Sequence, residues 1–203
     1  MENVLEITFL ILKIKKREEY QIMSLKNSEA ISIKKLQSDK FEIPLKTQKF
    51  ILQMCWAQHD GQWFLKTKKE FGIEKTNNLN KHVIRSMGKI EARHIMNALG
   101  IHKGDIKSIP ECFKLFNTFM DVLIPNVMKF KFYIESKNEG LAIVQKCFIW
   151  KEVQKSQKEN EYICACNSRH RGWLEAIGTN GKIIPLKRIS EGENTCEFRF
   201  KLS

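Results

Sequence analysis

From Gln48 onward the chain repeats apolar residues at helical spacing. Phe50, Met54, Ala57 and Phe64 recur at steps of four, three and seven, and the stripe ends at Gly72. Trp56 and Trp63 lie seven apart and roughly opposite that stripe, so the helix is expected to sit between its own core and a second surface. Gly61, midway along, is expected to kink the helix or let a neighbour approach. A second helix is predicted from about Ile73 to Leu99, with Leu79, Val83, Met87, Ile90 and Ala98 as its stripe and Gly100 as its stop. The short joint between the two predicts an antiparallel pair. Pro110 permits a third helix, Glu111 to Leu123, which Pro125 closes.

Beyond Pro125 the period changes. Val127 to Glu135 alternates apolar and polar residues around Phe130 and Phe132, as a half-buried strand does. Lys137-Asn138-Glu139-Gly140 reads as a turn and Leu141 to Trp150 as the hairpin partner. Lys151 to Glu161 reads as a loop or short helix, and Tyr162 to Ile177 as a helix ending at Gly178. Strands are predicted over Lys182 to Ile189 and Thr195 to Leu202. The expected fold is α+β: two long antiparallel helices and a shorter one, packed on a small four-stranded antiparallel sheet with one helix. Residues 1–47 form a poorly defined N-terminal extension, and Met23 is an alternative start, which leaves the place of residues 1–22 in the mature protein open. Residues 48–125 are the helical part and 126–203 the α+β part, together expected to make one compact domain.

Charge changes the picture less than its size suggests. The 203 residues carry a formal net charge of +12, made of 28 Lys and only 7 Arg against 23 acidic residues. It is spread along the chain, at +2 over 1–47, +5 over 48–125 and +5 over 126–203. A phosphate-tracking surface gathers its charge and favours Arg, so nucleic acid is not the expected partner. No apolar run has membrane-spanning length, and the longest, Val4 to Ile14, is broken by Glu6 and Lys13. Nor does a signal peptide fit, which makes the cytoplasm the expected location.

In that compartment the six Cys are read as thiols, metal ligands or catalytic groups before disulfides. Cys147, Cys164, Cys166 and Cys196 fall in the last 57 residues. They are candidates for a zinc or iron site, but small buried apolar residues are the simpler reading. On a helix beginning at Tyr162, Cys164 and Cys166 would point about 200° apart and could not share one metal. Glu91 and His94, three apart, resemble one half of a helical metal site, but a core histidine with Glu91 paired to Arg93 or Lys89 is the simpler reading. His59-Asp60-Gly61-Gln62-Trp63 places titratable groups beside aromatics, as a small-molecule pocket does. Arg169-His170-Arg171 gathers donors for a carboxylate or phosphate, or forms a solvated helix face. Walker, dinucleotide-glycine, nucleophile-elbow and His-Glu-x-x-His motifs are absent.

The runs Asp60 to Leu65, Phe71 to Glu74, Gly88 to Arg93 and Ala98 to Ile101 resemble a family of cytosolic proteins similar to the L-2-amino-thiazoline-4-carboxylic acid hydrolase family. The order of Cys147, Cys164 and Cys196 fits it, and Cys196 to Phe200 further resembles the end of 4-vinyl reductase-type ligand-binding domains. The resemblance covers roughly residues 48–203. It implies hydrolysis of a non-peptide C–N bond in a small cyclic amidine-like acid. In that reading Asp60 or Glu91 is the general base, Trp63, Arg93, Arg169 and Arg171 bind substrate, and Cys147, Cys164 and Cys196 are the metal candidates. The chain departs from the resemblance at Arg188, where a zinc-holding relative has Cys, and at Lys68 and Asn80, where acidic residues are expected. The other readings are a ligand sensor, expected to be a homodimer and to hold an apolar metabolite near Trp56 and Trp63, and a nucleic-acid binder motivated by charge alone.

Overall fold

A computed structural model describes residues 41–203; the expectations for residues 1–22, and for most of the segment 1–47, lie outside the described residues. Helix α1 (Leu45–Phe71) runs unbroken through Gly61 to Gly72, and α2 (Ile73–Leu99) follows at once. Gly100 ends α2 in the left-handed conformation, its N–H returning to Asn97 and Met96 carbonyls. Helix α3 (Ile109–Leu123) opens on Ser108, whose side chain accepts the Glu111 N–H at 3.4 Å, while the Glu111 carboxylate accepts the Lys107 N–H at 2.8 Å. Its buried face is Ile109, Cys112, Phe113, Phe116, Phe119 and Met120, the i, i+3, i+4, i+7 set of an amphipathic helix.

Strands β1 (Lys129–Ile134), β2 (Glu139–Lys146), β3 (Gly181–Lys187) and β4 (Cys196–Leu202) form one antiparallel sheet in the order β1-β2-β4-β3. Along β4 alternate residues Cys196, Phe198, Phe200 and Leu202 are buried, as period two requires. Phe116 of α3 meets Phe200 edge-on at 5.5 Å and Trp173 at 5.1 Å, which ties helix, sheet and α5 (Cys166–Ile177) into one core.

Three sequence expectations need correction. The run after Lys146 is not strand but α4 (Phe148–Lys155): the Cys147 sulfur accepts the Trp150 N–H at 3.4 Å and starts a helix whose apolar residues a short window cannot assign. Helix α5 starts at Cys166, not Tyr162, because Asn77 takes the intervening backbone. Its amide donates to the Glu161 carbonyl at 2.8 Å and its carbonyl accepts the Ile163 N–H at 3.0 Å. The apolar stripe of α2 is not its buried face: Leu79, Val83 and Ile90 are 43%, 39% and 42% exposed, and His94 is exposed as well. Thr76, Asn77, Asn80, Gly88, Glu91, Ala92 and Met96 are buried instead.

The reason is the neighbour. Helix α2 packs along α5 rather than along α1. At the crossing, a Cβ on Gly88 would lie 2.5 Å from the Arg169 carbonyl oxygen, and one on Gly172 closer still to the Arg85 carbonyl. Arg85 and Lys89 flank the crossing with ion pairs to Glu175. Helix α1 is held elsewhere: Gln53 donates to the last carbonyls of α3, at 2.9 Å to Val122 and 3.1 Å to Ile124, and Phe64 packs edge-on against Tyr162. Among the described residues no helix is long and apolar enough to cross a membrane.

Gly172→Ala should therefore lower unfolding stability by about 1–3 kcal/mol in urea titrations, as overpacking against backbone does. Gly61→Ala, whose added Cβ meets nothing within 4 Å, should instead gain up to roughly 1 kcal/mol of helix propensity.

Candidate active site

Glu91 is buried inside the α2–α5 contact. One carboxylate oxygen accepts the Trp173 indole N–H at 3.0 Å; the other lies 3.1 Å from Arg169 Nη2, an ion contact without hydrogen-bond alignment. The two side chains are 5% and 17% exposed, so the pair is desolvated and each charge depends on the other. Arg169 keeps one further donor: its Nε is buried and has no partner among the described residues.

Beside this pair a cavity of about 320 Å³ opens between α1, α2 and α4. Phe64 and Leu65 of α1, Ile84 of α2, and Phe148, Ile149 and Val153 of α4 supply its apolar wall. Asp60, Arg169, Tyr162 and Cys166 bring the chemistry. Burial pushes the Asp60 carboxyl above the ordinary carboxylate value, against the opposing pull of Arg169 and His59; the His59 Nδ1 stands 3.9 Å from it. Burial also raises Tyr162, whose hydroxyl meets the Asn80 side chain. Lys68 and Asn80, the two positions where acidic residues were expected, both line this cavity, and Lys68 is paired with Glu161.

The remaining candidates are dispersed. Trp63 is half-buried on α1 and does not line the cavity, and Arg171 is exposed on α5. Arg93 borders a separate cleft of about 730 Å³ with Lys89, His102, Lys103 and Glu175. That cleft is larger, but it is a polar surface depression in which Lys89 already pairs with Glu175, so the smaller apolar cavity is the better candidate. Sequence reasoning missed the α4 wall and Tyr162. The spacing of Phe148, Ile149 and Val153 was the signal available for the first, and nothing local marked the second.

The thiols lie differently from the expectation. With Ala165 as N-cap (φ −99°, ψ 8°), Cys164 lies outside α5, so the helical separation from Cys166 does not apply. The neighbouring Cys166 thiol and backbone N–H, with Arg188, bring Cys164 down to about 7 against its burial, while Cys166 is raised. Burial takes Cys147 to about 11 and Cys112 to about 12, and Cys196, which accepts the Ile189 N–H at 3.2 Å, is raised as well. Among the described residues no group of three or more His, Cys, Asp or Glu is placed to hold a metal ion. Cys147, Cys164 and Cys196 thus do not assemble the zinc or iron centre considered for them, and the cation near Cys164 is Arg188.

An α+β protein with an apolar interhelical cavity, carrying one raised carboxyl and one arginine, is the class that fold and geometry define. Residues 53–200 match the model of the L-2-amino-thiazoline-4-carboxylic acid hydrolase family, and the chain belongs to that family. Among solved structures it is similar in fold to a trafficking protein particle complex subunit 3 from Naegleria fowleri covalently bound to palmitic acid, at a TM-score of 0.55 and 13% identity, over 75% of this chain and 96% of that one. No curated protein matches the chain.

Removing Glu91 leaves the Arg169 charge buried and the Trp173 donor unmet, so Glu91→Ala should cost about 3–5 kcal/mol in chemical unfolding. Asp60 gives a pH signature. Its folded pKa lies above the ordinary 3.8, so the folded state holds the proton more tightly and loses stability as pH rises from that value through the folded pKa. Asp60→Asn should therefore raise the melting temperature at neutral pH, with the gain vanishing in acid.

Proposed function

We propose that the protein is a cytoplasmic small-molecule hydrolase whose site is the α1–α2–α4 cavity, acting on a non-peptide C–N bond of a cyclic amidine-like acid. The observation that carries this reading is that Asp60 and Arg169 both line one cavity whose wall is in large part apolar. A carboxyl pushed up by burial is a better proton acceptor near neutral pH than an ordinary one. Asp60 takes a proton from water as the oxygen adds to the ring carbon, and returns it to the departing ring nitrogen as the C–N bond breaks. Arg169, which lines the cavity, offers its guanidinium to the substrate carboxylate. Glu91 is a positioning residue that holds the guanidinium, with no lining position of its own. Trp63, Arg93 and Arg171 have no part in this reading.

The apolar wall supports a second reading, binding of an apolar ligand without turnover, and the Naegleria fowleri protein's palmitic acid is one such ligand chemistry. Exposed Leu52, Trp56 and Leu79 support a homodimer in either case, which light scattering measures.

Incubation with L-2-amino-thiazoline-4-carboxylic acid, followed by chromatography of the ring-opened product, is the test. Turnover by the wild type and a loss of about 10²–10⁴-fold in kcat for Asp60→Asn are expected. Undiminished turnover by that variant would sink the role given to Asp60. No turnover, with thermal stabilisation by palmitate, would favour the second reading.

A further inference from the structure

We propose that the outer edge of β1 pairs antiparallel with the same edge of a second copy of the chain, joining two four-stranded sheets into one. Strand β1 ends the order β1-β2-β4-β3, so among the described residues no strand pairs with its outer side. The Glu135 N–H bonds inward to the Glu139 carbonyl at 3.0 Å, and backbone direction alternates along a strand. The N–H and C=O groups of Phe130, Phe132 and Ile134 therefore point outward, while those of Lys131 and Tyr133 face β2. Tyr133 and Ile134 are 47% and 59% exposed. The two edges of the sheet are unlike. Strand β3 carries Pro185 and an extra residue, Leu186, opposite β4, both of which spoil an edge for pairing. Strand β1 has no proline, and the irregularity between Lys129 and Phe130 takes its extra residue, Gln145, from β2.

The occupant is a second copy because the edge complements itself in one register. Pairing about Phe132 sets that residue opposite its counterpart, Phe130 opposite Ile134, Lys131 opposite Tyr133 and Lys129 opposite Glu135. The outward groups then meet one another and close about six backbone hydrogen bonds. Across the contact the exposed Ile134 gains a phenyl ring, the Lys131 ammonium a tyrosine ring and the Lys129 ammonium a carboxylate. Glu135 holds Arg199 of its own chain through Oε1 at 3.5 Å, which leaves Oε2 for that lysine. Centring on Lys131 instead would face this lysine with its own copy. Centring on Tyr133 would run Phe130 past the strand onto Ser136 of the other copy. The lysines that guard the edge against other strands thus select this partner. A six-residue edge falls short of the roughly 1,200–2,000 Å² of a stable interface, so the dimer depends on concentration. The contact is separate from the cavity and from Leu52, Trp56 and Leu79 on the helices.

The experiment uses the full chain carrying Cys55→Ser, which removes an exposed competing thiol. Chains with Lys131→Cys and chains with Tyr133→Cys are mixed, oxidised with copper–phenanthroline and weighed intact by mass spectrometry. Positions 131 and 133 of opposing copies form a non-hydrogen-bonded pair about 4.5 Å apart at Cα, within disulfide reach, whereas like positions lie on the diagonal. The mixed dimer should exceed either self-linked dimer by at least about tenfold. In sedimentation, the Cys55→Ser chain should form a dimer fraction that grows with concentration up to about 200 µM. Ile134→Pro deletes an outward N–H and no bond to β2. It should weaken association at least about tenfold and leave the melting temperature of dilute protein unchanged. Monomer throughout that range, a self-linked dimer of either cysteine variant as the main product, or a dimer unmoved by Ile134→Pro would each overturn the proposal. The last of these would assign association to the helical residues. Lys131 and Tyr133 are both exposed, so a folding defect in their variants does not mask the answer.

Discussion

Helices α2 and α5 approach until the backbone of each occupies the space a side chain would fill at Gly88 and Gly172 of the other. Everything placed around that crossing follows from the closeness. Trp173 is driven into the core between Phe116 and Phe119, and its indole N–H must find a partner away from water, which Glu91 supplies. A carboxylate buried there needs a cation, and Arg169, one turn before Trp173, is in reach. The face of α2 that meets α5 is thus small and polar because large apolar residues would hold the helices apart.

The same contact sets the geometry of the cavity. Arg169 is fixed by its ion contact with Glu91, and Asn77 pins the chain before α5 so that Tyr162 and Cys166 reach the cavity from one side. Helix α1 closes the other side, anchored by Gln53 on the end of α3 and by Phe64 on Tyr162. Asp60 is carried on that helix, so its raised carboxyl and Arg169 belong to different elements and come to line one cavity through tertiary packing. Lys68 and Asn80 make this wall less acidic than the family resemblance led one to expect, and of the two carboxylates that line it, Asp60 and Glu152, Asp60 is the one raised by burial.

The cysteines show how much a helix boundary matters. Begun at Tyr162, α5 would have splayed Cys164 and Cys166; begun at Cys166, it leaves Cys164 outside the helix, with Arg188 near enough to lower its thiol. A cation at that position stabilises a thiolate and does not complete a thiolate ligand set.

What the sequence determined by itself is the set of elements whose signals are local. Pro110 and Pro125 bound α3, Gly100 and Gly178 stop α2 and α5, and period two marks β4 from Cys196 to Leu202. Asp60 and Arg169 were also legible as candidates, because titratable groups beside aromatics and a rare cluster of Arg are visible in a linear string. Only the tertiary structure decided which face of α2 is inside, since a polar buried face satisfied by Asn77, Glu91 and the chain around α5 has no hydrophobic period to read. It also decided that Glu91 belongs to a buried pair and that Arg93 and Arg171 stand apart from Arg169. Periodicity reports burial by apolar contact; burial by hydrogen bonding and backbone closeness depends on partners far along the chain, which local spacing does not encode.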